Sequence, residues 1–136
     1  MDWAKRCSQL SHALRLKVGA VIVKDDTVIS YGYNGMPAGW DNTCEDELKW
    51  PTGEVRLLKT KPEVLHAETN AIAKLARSTE SGLDSDLFVT HSPCLDCAKL
   101  IHQAGIKRVF FGTAYRDDSG VDFLRKSGVT VEQLDV

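Results

Sequence analysis

Two short motifs constrain this chain more than any other feature: His66-x-Glu68 and, later in the sequence, Pro93-Cys94-x-x-Cys97. One histidine and two cysteines are donors that suit zinc, and three protein ligands leave the fourth tetrahedral position open to water. If these side chains bind one ion, the fold must bring two distant segments together at one point. Zinc lowers the pKa of a bound water from about 16 to about 7, so the site would supply an activated water, with Glu68 beside it to transfer protons.

Together the two motifs match the signature of zinc-dependent nucleobase deaminases, in which the glutamate is a general acid and base and not a ligand. Cys-x-x-Cys alone is weak evidence, because redox pairs and structural zinc sites share it. A structural zinc site remains an alternative, with His91 or Cys44 as the fourth ligand, because such sites are closed by four protein ligands. A redox pair would leave His66 and Glu68 without a role.

Four longer segments include or flank these motifs: residues 18–23 (VGAVIV), 32–39 (GYNGMPAG), 66–72 (HAETNAI) and 97–106 (CAKLIHQAGI). In these segments the chain resembles the deoxycytidylate (dCMP) deaminase family, and the resemblance covers nearly its whole length. The zinc motifs are shared by all cytidine-type deaminases, whereas GYNG is typical of this branch.

The resemblance implies hydrolysis of dCMP to dUMP and ammonia through a zinc-activated water, which would feed thymidylate synthesis. One Zn²⁺ would be held by His66, Cys94 and Cys97, with Glu68 as the catalytic acid and base. The substrate contacts implied are the backbone amide of Ala67 and the side chains of Asn34, Ser92, Arg15, Tyr115 and Arg116.

Regulation and assembly are also implied by the resemblance alone. dCTP would activate the enzyme and dTTP would inhibit it, both with Mg²⁺ on their phosphates. The nucleotide-binding loop would include Gly35, Trp40 and Asn42. The family likeness further suggests a homo-oligomer, with a hexamer as one arrangement, and neither periodicity nor charge in the sequence bears on this.

Composition favours a small substrate. The 136 residues are 43% hydrophobic and 26% charged, which is typical of one globular domain, residues 1–136. The formal net charge of −2 provides no basic excess for an extended nucleic-acid surface, so we expect no nucleic-acid partner. The longest apolar run, residues 18–23, is far too short for a membrane span, and thiolate ligands need reducing conditions. We therefore expect a cytoplasmic protein without membrane association.

The order of predicted elements indicates a three-layer α/β/α sandwich with a five-stranded mixed sheet, similar to cytidine deaminases. Helical spacing predicts an amphipathic helix over residues 2–13, with Trp3 and Cys7 in the core. Two β-branched runs, residues 18–24 and 27–33, predict an antiparallel hairpin. The predicted elements after residue 82 are strands at 86–90, 106–111 and 129–132 and a short helix at 121–126. Residues 41–61 lack any period and predict a long surface insertion without regular structure.

Both ligand motifs are predicted to start helices. On a regular helix, His66 and Glu68 would point about 200 degrees apart, so they can converge on one ion only where a helix begins. We therefore predict a helix from His66 to about residue 78. A second helix is predicted with Ser92 as its N-cap and Pro93 at its first position, which would place the two cysteines on one face.

Three other functions remain open at this stage. A nucleoside or free-base deaminase shares the zinc chemistry but does not need Arg15 or Arg116. A tRNA or DNA editing deaminase would need a basic groove, which the acidic net charge disfavours. A non-enzymatic zinc-binding interaction module would hold the metal and release no ammonia from any cytosine compound.

Overall fold

The computed structural model describes residues 1–135. Its elements are α1 (Asp2–Ser8), β1 (Gly19–Lys24), β2 (Thr27–Tyr33), β3 (Glu45–Lys49), β4 (Val55–Thr60), α2 (Ala67–Ala76), β5 (Asp86–His91), α3 (Leu95–Gln103), β6 (Arg108–Thr113), α4 (Ser119–Lys126) and β7 (Thr130–Gln133). Five strands form one sheet in the order β2-β1-β5-β6-β7. Strand β1 is antiparallel to its neighbours β2 and β5, whereas β5, β6 and β7 run parallel to one another. The predicted five-stranded mixed sheet is confirmed.

Two glycines show that helices cover both faces of this sheet. A Cβ at Gly19 would collide with the Ala4 carbonyl of α1, and a Cβ at Gly32 would collide with the Ala67 carbonyl of α2. Gly32 pairs with Ala20 in the register of β1 and β2. Because successive residues of a strand point to opposite faces, α1 and α2 lie on opposite sides of the sheet. This arrangement is the predicted three-layer sandwich.

The main core lies between the sheet and helices α2, α3 and α4. Its largest buried side chains include Ile22, Leu87, Ile101, Val109 and Leu124. Each such side chain contributes about 1.5–3 kcal/mol when it leaves water. This packing holds the starts of α2 and α3, which carry the two motifs, on one rigid frame.

The predicted hairpin between β1 and β2 is present. Asp25 and Asp26 form its turn with φ values of 50° and 60°. Positive φ at both central residues is typical of a type I′ hairpin turn, and aspartate tolerates it better than most side chains. The strands and the short helix predicted after residue 82 are also present, apart from shifts of a residue or two at their ends.

The first helix differs from its prediction. It ends at Ser8 instead of residue 13, and Trp3, predicted to be in the core, is 67% exposed. Cys7 is only half-buried. The face that meets the sheet carries the buried Ala4, whose backbone carbonyl lies where a Cβ of Gly19 would be. That close approach fixes the rotation of the helix and turns Trp3 towards solvent.

The predicted surface insertion is also wrong in part, because it contains a separate two-stranded sheet of β3 and β4. The strands are antiparallel, with Glu45 opposite Thr60 and Leu48 opposite Leu57. Both faces of this hairpin are largely exposed, so its sequence lacks the apolar alternation that identifies a half-buried strand. Within residues 1–135, no helix is long and apolar enough to cross a bilayer.

Candidate active site

The structure brings the side chains of His66, Cys94 and Cys97 together. The imidazole Nδ1 of His66 lies 3.3 Å from Cys97 Sγ and 3.6 Å from Cys94 Sγ. All three donor atoms lie within 4.8 Å of one another. Zinc–sulfur bonds of about 2.3 Å and zinc–nitrogen bonds of about 2.0 Å place tetrahedral ligands about 3.6 Å apart. The donor set therefore fits one zinc ion.

These donors lie at the starts of two helices. His66 is the N-cap of α2 and Cys94 is the N-cap of α3, and both have extended backbone conformations. Neither side chain forms a hydrogen bond that caps its own helix, so each is free to turn towards the other segment. The prediction that α2 begins at His66 is confirmed.

Helix α3 starts two residues later than predicted, with Cys94 instead of Ser92 as its N-cap. The reason is that Ser92, directly after β5, is still bonded to the neighbouring strand, because its N–H donates to the Thr113 carbonyl of β6 at 2.9 Å. The Ser92 hydroxyl accepts a hydrogen bond from the Tyr115 backbone N–H at 2.8 Å. Ser92 thus lies behind the site and holds the segment that carries Tyr115.

Glu68, in the first turn of α2, is 4% exposed and faces the same site. Burial raises the pKa of its carboxyl from 4.5 to about 7 in the metal-free chain. A carboxyl with a pKa near neutrality can both accept and release a proton at that pH. Burial, with Glu68 nearby, also raises the pKa of the Cys97 thiol when no cation is present. A bound cation would reverse that preference, because a coordinating thiol loses its proton.

Neither proposed fourth ligand joins the cluster. Among residues 1–135, the histidine, cysteine and carboxylate side chains that could share an ion are His66, Cys94 and Cys97 alone. The Cys44 thiol instead donates to the Asn42 carbonyl at 3.5 Å, and His91 Nδ1 lies 3.1 Å from the Thr90 hydroxyl. A structural zinc site closed by four protein ligands is therefore not supported by the described residues.

A cavity of about 640 Å³ opens on the cluster. Five of the predicted substrate contacts line it, namely Arg15, Asn34, Ala67, Tyr115 and Arg116, whereas Ser92 is not among the lining residues. The volume is within the range of about 300–1,000 Å³ that is typical of small-molecule sites. Arg15 and Arg116 bring two permanent positive charges to its wall. The cavity can therefore hold a small anionic ligand beside the metal cluster.

Asn34 connects the cavity wall to the neighbouring loop. Its Oδ1 accepts from the Val18 N–H at 2.9 Å, and its Nδ2 donates to the Leu16 carbonyl at 2.7 Å. The rings of His91 and Tyr115, with centroids 5.7 Å apart, form another part of the wall. The Asn34 side chain is thus held by two hydrogen bonds to the backbone, and the Tyr115 ring packs against the His91 ring.

Glu45 lines the same cavity, although no sequence motif singles it out. Its carboxylate accepts hydrogen bonds from the backbone N–H groups of Leu14 and Arg15. The residue lies in the segment 41–61, where no motif or period distinguishes it from the other acidic side chains. Because about thirty residues separate Glu45 from Leu14 and Arg15, no short sequence pattern indicates the contact.

A second, smaller cavity of about 300 Å³ lies next to the first. It is lined by His12, Asn42 and the segment from Tyr33 to Trp40. Gly35, Trp40 and Asn42, the predicted effector contacts, all belong to this wall. Asn34 lines both cavities.

Comparisons with known proteins agree with this geometry. Residues 1–113 match the family described as the cytidine and deoxycytidylate deaminase zinc-binding region. The chain is 37% identical to ComE operon protein 2 of Bacillus subtilis, over 100% of this chain and 73% of that protein. It is 35% identical to the deoxycytidylate deaminase of Enterobacteria phage T4, over 91% of this chain and 82% of that protein.

A solved structure is also similar over nearly the whole chain. The dCMP deaminase of cyanophage S-TIM5, in complex with dCMP and dUMP, has a TM-score of 0.86 and 44% identity, over 98% of this chain and 92% of that one. A family match over most of the sequence, a shared fold and the His–Cys–Cys cluster therefore agree. This chain belongs to the cytidine and deoxycytidylate deaminase family of zinc-dependent hydrolases, in its dCMP deaminase branch.

Proposed function

We propose that this protein hydrolyses the 4-amino group of dCMP, giving dUMP and ammonia. The observation that carries the proposal is the buried Glu68 beside a three-donor cluster that opens on a cavity with two arginines. The relatives named deoxycytidylate deaminase, and the related structure containing dCMP and dUMP, support the choice of substrate. Zinc held by His66, Cys94 and Cys97 would supply a water that is acidic enough to react at neutral pH.

Glu68 moves the protons of the reaction. It accepts a proton from the attacking water as the water oxygen bonds to C4 of cytosine, and it delivers protons to N3 and to the departing amine. The C4–N bond then breaks, and the products are dUMP and ammonia. A carboxyl whose pKa lies near 7 suits both directions of transfer.

The cavity wall orients the substrate. The guanidinium groups of Arg15 and Arg116 suit the 5′-phosphate, because each presents several donors to anionic oxygens. Tyr115 and Asn34 face the sugar and phosphate end, and the backbone amide of Ala67 faces the ring carbonyl. Ser92 does not line the cavity; its hydroxyl accepts a hydrogen bond from the Tyr115 backbone N–H and so positions Tyr115.

We also propose that nucleotides regulate the enzyme. The second cavity would bind dCTP as activator and dTTP as inhibitor, with Mg²⁺ on the phosphates, against Gly35, Trp40 and Asn42. Its separation from the metal cluster, and the Asn34 side chain shared with the first cavity, support this placement. We further propose that residues 1–136 form one domain that assembles as a homo-oligomer, with a hexamer as one arrangement.

The protein would work in the cytoplasm, because the thiolate ligands Cys94 and Cys97 need reducing conditions.

One assay tests the proposal. Zinc-loaded protein is given CMP, dCMP, deoxycytidine or cytosine, each with and without dCTP, and ammonia release is measured. We expect the highest kcat/KM with dCMP and a further increase with dCTP. Equal rates with dCMP and deoxycytidine would instead indicate a nucleoside deaminase. No ammonia from any of the four would leave a zinc-binding module as the better description.

A further inference from the structure

The connection from α1 to β1, residues 9–18, is held mainly by side chains. The Ser11 hydroxyl accepts from the Ala13 N–H at 3.1 Å, and the Asn34 amide bonds to both Leu16 and Val18. Buried backbone groups outside helices and strands need such partners. Arg15 lies in the turn between these two anchoring points. The backbone N–H groups of this turn bond to the carboxylate of Glu45.

Glu45 is a buried carboxylate whose bonds go to the backbone. It is 6% exposed, and it accepts from the Leu14 N–H at 2.8 Å and from the Arg15 N–H at 3.1 Å. Within residues 1–135, the ion pairs do not include Glu45. A buried charge without an ion pair is costly unless hydrogen bonds satisfy it. The two amide bonds, strengthened by the negative charge, provide that compensation.

Thr60 holds the other end of Arg15. The Arg15 Nη1 lies 3.4 Å from the Thr60 hydroxyl, a long hydrogen bond. Thr60 is the residue opposite Glu45 in the β3–β4 hairpin. The base of this hairpin therefore contacts Arg15 at both its backbone and its guanidinium. The remaining N–H donors of the guanidinium stay available to the cavity that Arg15 lines.

We propose that Glu45 and Thr60 are positioning residues that hold Arg15 for the 5′-phosphate of the substrate, which makes the β3–β4 hairpin a specificity element. The inference rests on the proposed function, since it assumes a nucleotide substrate. An arginine side chain is flexible, and anchoring it at two points reduces the freedom that it loses when phosphate binds. Glu45 thus acts on the substrate through Arg15 and does not need to touch it.

The test measures discrimination between dCMP and deoxycytidine, which differ only in the phosphate. Steady-state kcat/KM is determined for both substrates with zinc-loaded wild type and with Glu45→Gln. Misplacement of a binding group by about 1 Å can reduce kcat/KM about 100-fold. We expect Glu45→Gln to lower the dCMP-to-deoxycytidine ratio of kcat/KM by about 10- to 100-fold, mainly through KM for dCMP.

Substitutions at Thr60 test the same idea without disturbing the buried carboxylate. Thr60→Val keeps the side-chain shape and removes the hydroxyl, and we expect the ratio to fall by about three- to tenfold. Thr60→Ser restores the hydroxyl and should restore the ratio. Glu47→Gln is the matched control, because Glu47 lies on the same strand, is exposed and forms an ion pair with the exposed Lys49. It should leave the ratio at the wild-type value.

The outcomes separate this inference from the function on which it rests. A wild-type protein that prefers dCMP, with ratios unchanged in Glu45→Gln and Thr60→Val, would overturn the positioning role alone. An equal loss on both substrates would show that the hairpin base is only structural, and would also overturn it. A wild type that does not distinguish dCMP from deoxycytidine would overturn the nucleotide assignment and the positioning role together.

Discussion

The imidazole Nδ1 of His66 lies 3.3 Å from the thiol of Cys97, although 31 positions separate the two residues in the sequence. The contact joins the first turns of α2 and α3, which pack against each other on one face of the sheet. Glu68 follows His66 by two residues and is buried beside the pair. The chemistry of the site therefore depends on the relative placement of two helix starts.

Replacing Glu68 with glutamine separates proton transfer from metal binding. Glu68→Gln keeps the shape of the side chain and removes its ability to accept a proton. We expect zinc content to remain at about one per chain and kcat for dCMP to fall by about 100- to 10,000-fold. Ammonia release and metal analysis of the same sample measure both effects. A variant with a near-normal rate would contradict the assigned role of Glu68.

Loss of a donor should remove the metal. His66→Ala and Cys97→Ala each leave two donors, which are too few for a stable zinc site. We expect zinc content well below one per chain and a lower melting temperature, since metal binding contributes to folding. Cys7→Ala is the control, because Cys7 is a half-buried cysteine of α1 outside the cluster. Retention of full zinc by Cys97→Ala would exclude Cys97 as a ligand.

The stability of the metal-free protein should fall as pH rises. Burial raises the pKa of Glu68 from 4.5 to about 7, so the native chain holds a proton between these values that the unfolded chain has lost. Protonation of Glu68 stabilises the folded chain fully below pH 4.5. This stabilisation is lost as the pH rises through about 7. It amounts to about 3 kcal/mol.

Urea unfolding of chelator-treated wild type and Glu68→Gln at about pH 5 and about pH 8 measures this effect. Relative to the variant, wild type should lose about 2.5 kcal/mol between the two pH values, because part of the stabilisation is already lost at about pH 5. The same pH dependence in both proteins would show that Glu68 is not its source. Added zinc should reduce the loss, because a nearby cation favours the carboxylate.

Close packing at Gly32 should link sheet stability to the metal site. A Cβ there would collide with backbone atoms of Ala67 and Ala71 in α2. We expect Gly32→Ala to lower the free energy of unfolding by about 1–3 kcal/mol and to weaken zinc binding, because α2 must shift. Gly35→Ala is a suitable control for stability, since no heavy atom lies within 4 Å of a Cβ at that position. Equal stability of the two variants would argue against this packing.

The sequence predicts the metal-binding residues well because they lie in two short motifs. The need for His66 and Glu68 to converge implies a helix start, and the structure has one there. The central strands are equally clear, since β-branched runs mark β1 and β2. In each case a few neighbouring residues determine the outcome.

The predictions that fail concern features that are set by tertiary contacts. Trp3 is exposed because contact between Ala4 and Gly19 sets the rotation of α1. The β3–β4 hairpin lacks an apolar face, so hydrophobic alternation does not reveal it. Glu45 reaches Arg15 across the fold, and no spacing rule connects two such residues.

Zinc bound by His66, Cys94 and Cys97 should be what enables this protein to hydrolyse dCMP. The most direct test is to remove the metal with a chelator, add Zn²⁺ back in steps, and measure dUMP and ammonia formed from dCMP at each step. We expect one dUMP and one ammonia per dCMP consumed, with a rate that rises in proportion to bound zinc up to one ion per chain. A rate that does not depend on zinc content, or dCMP left intact by the fully loaded protein, would contradict it.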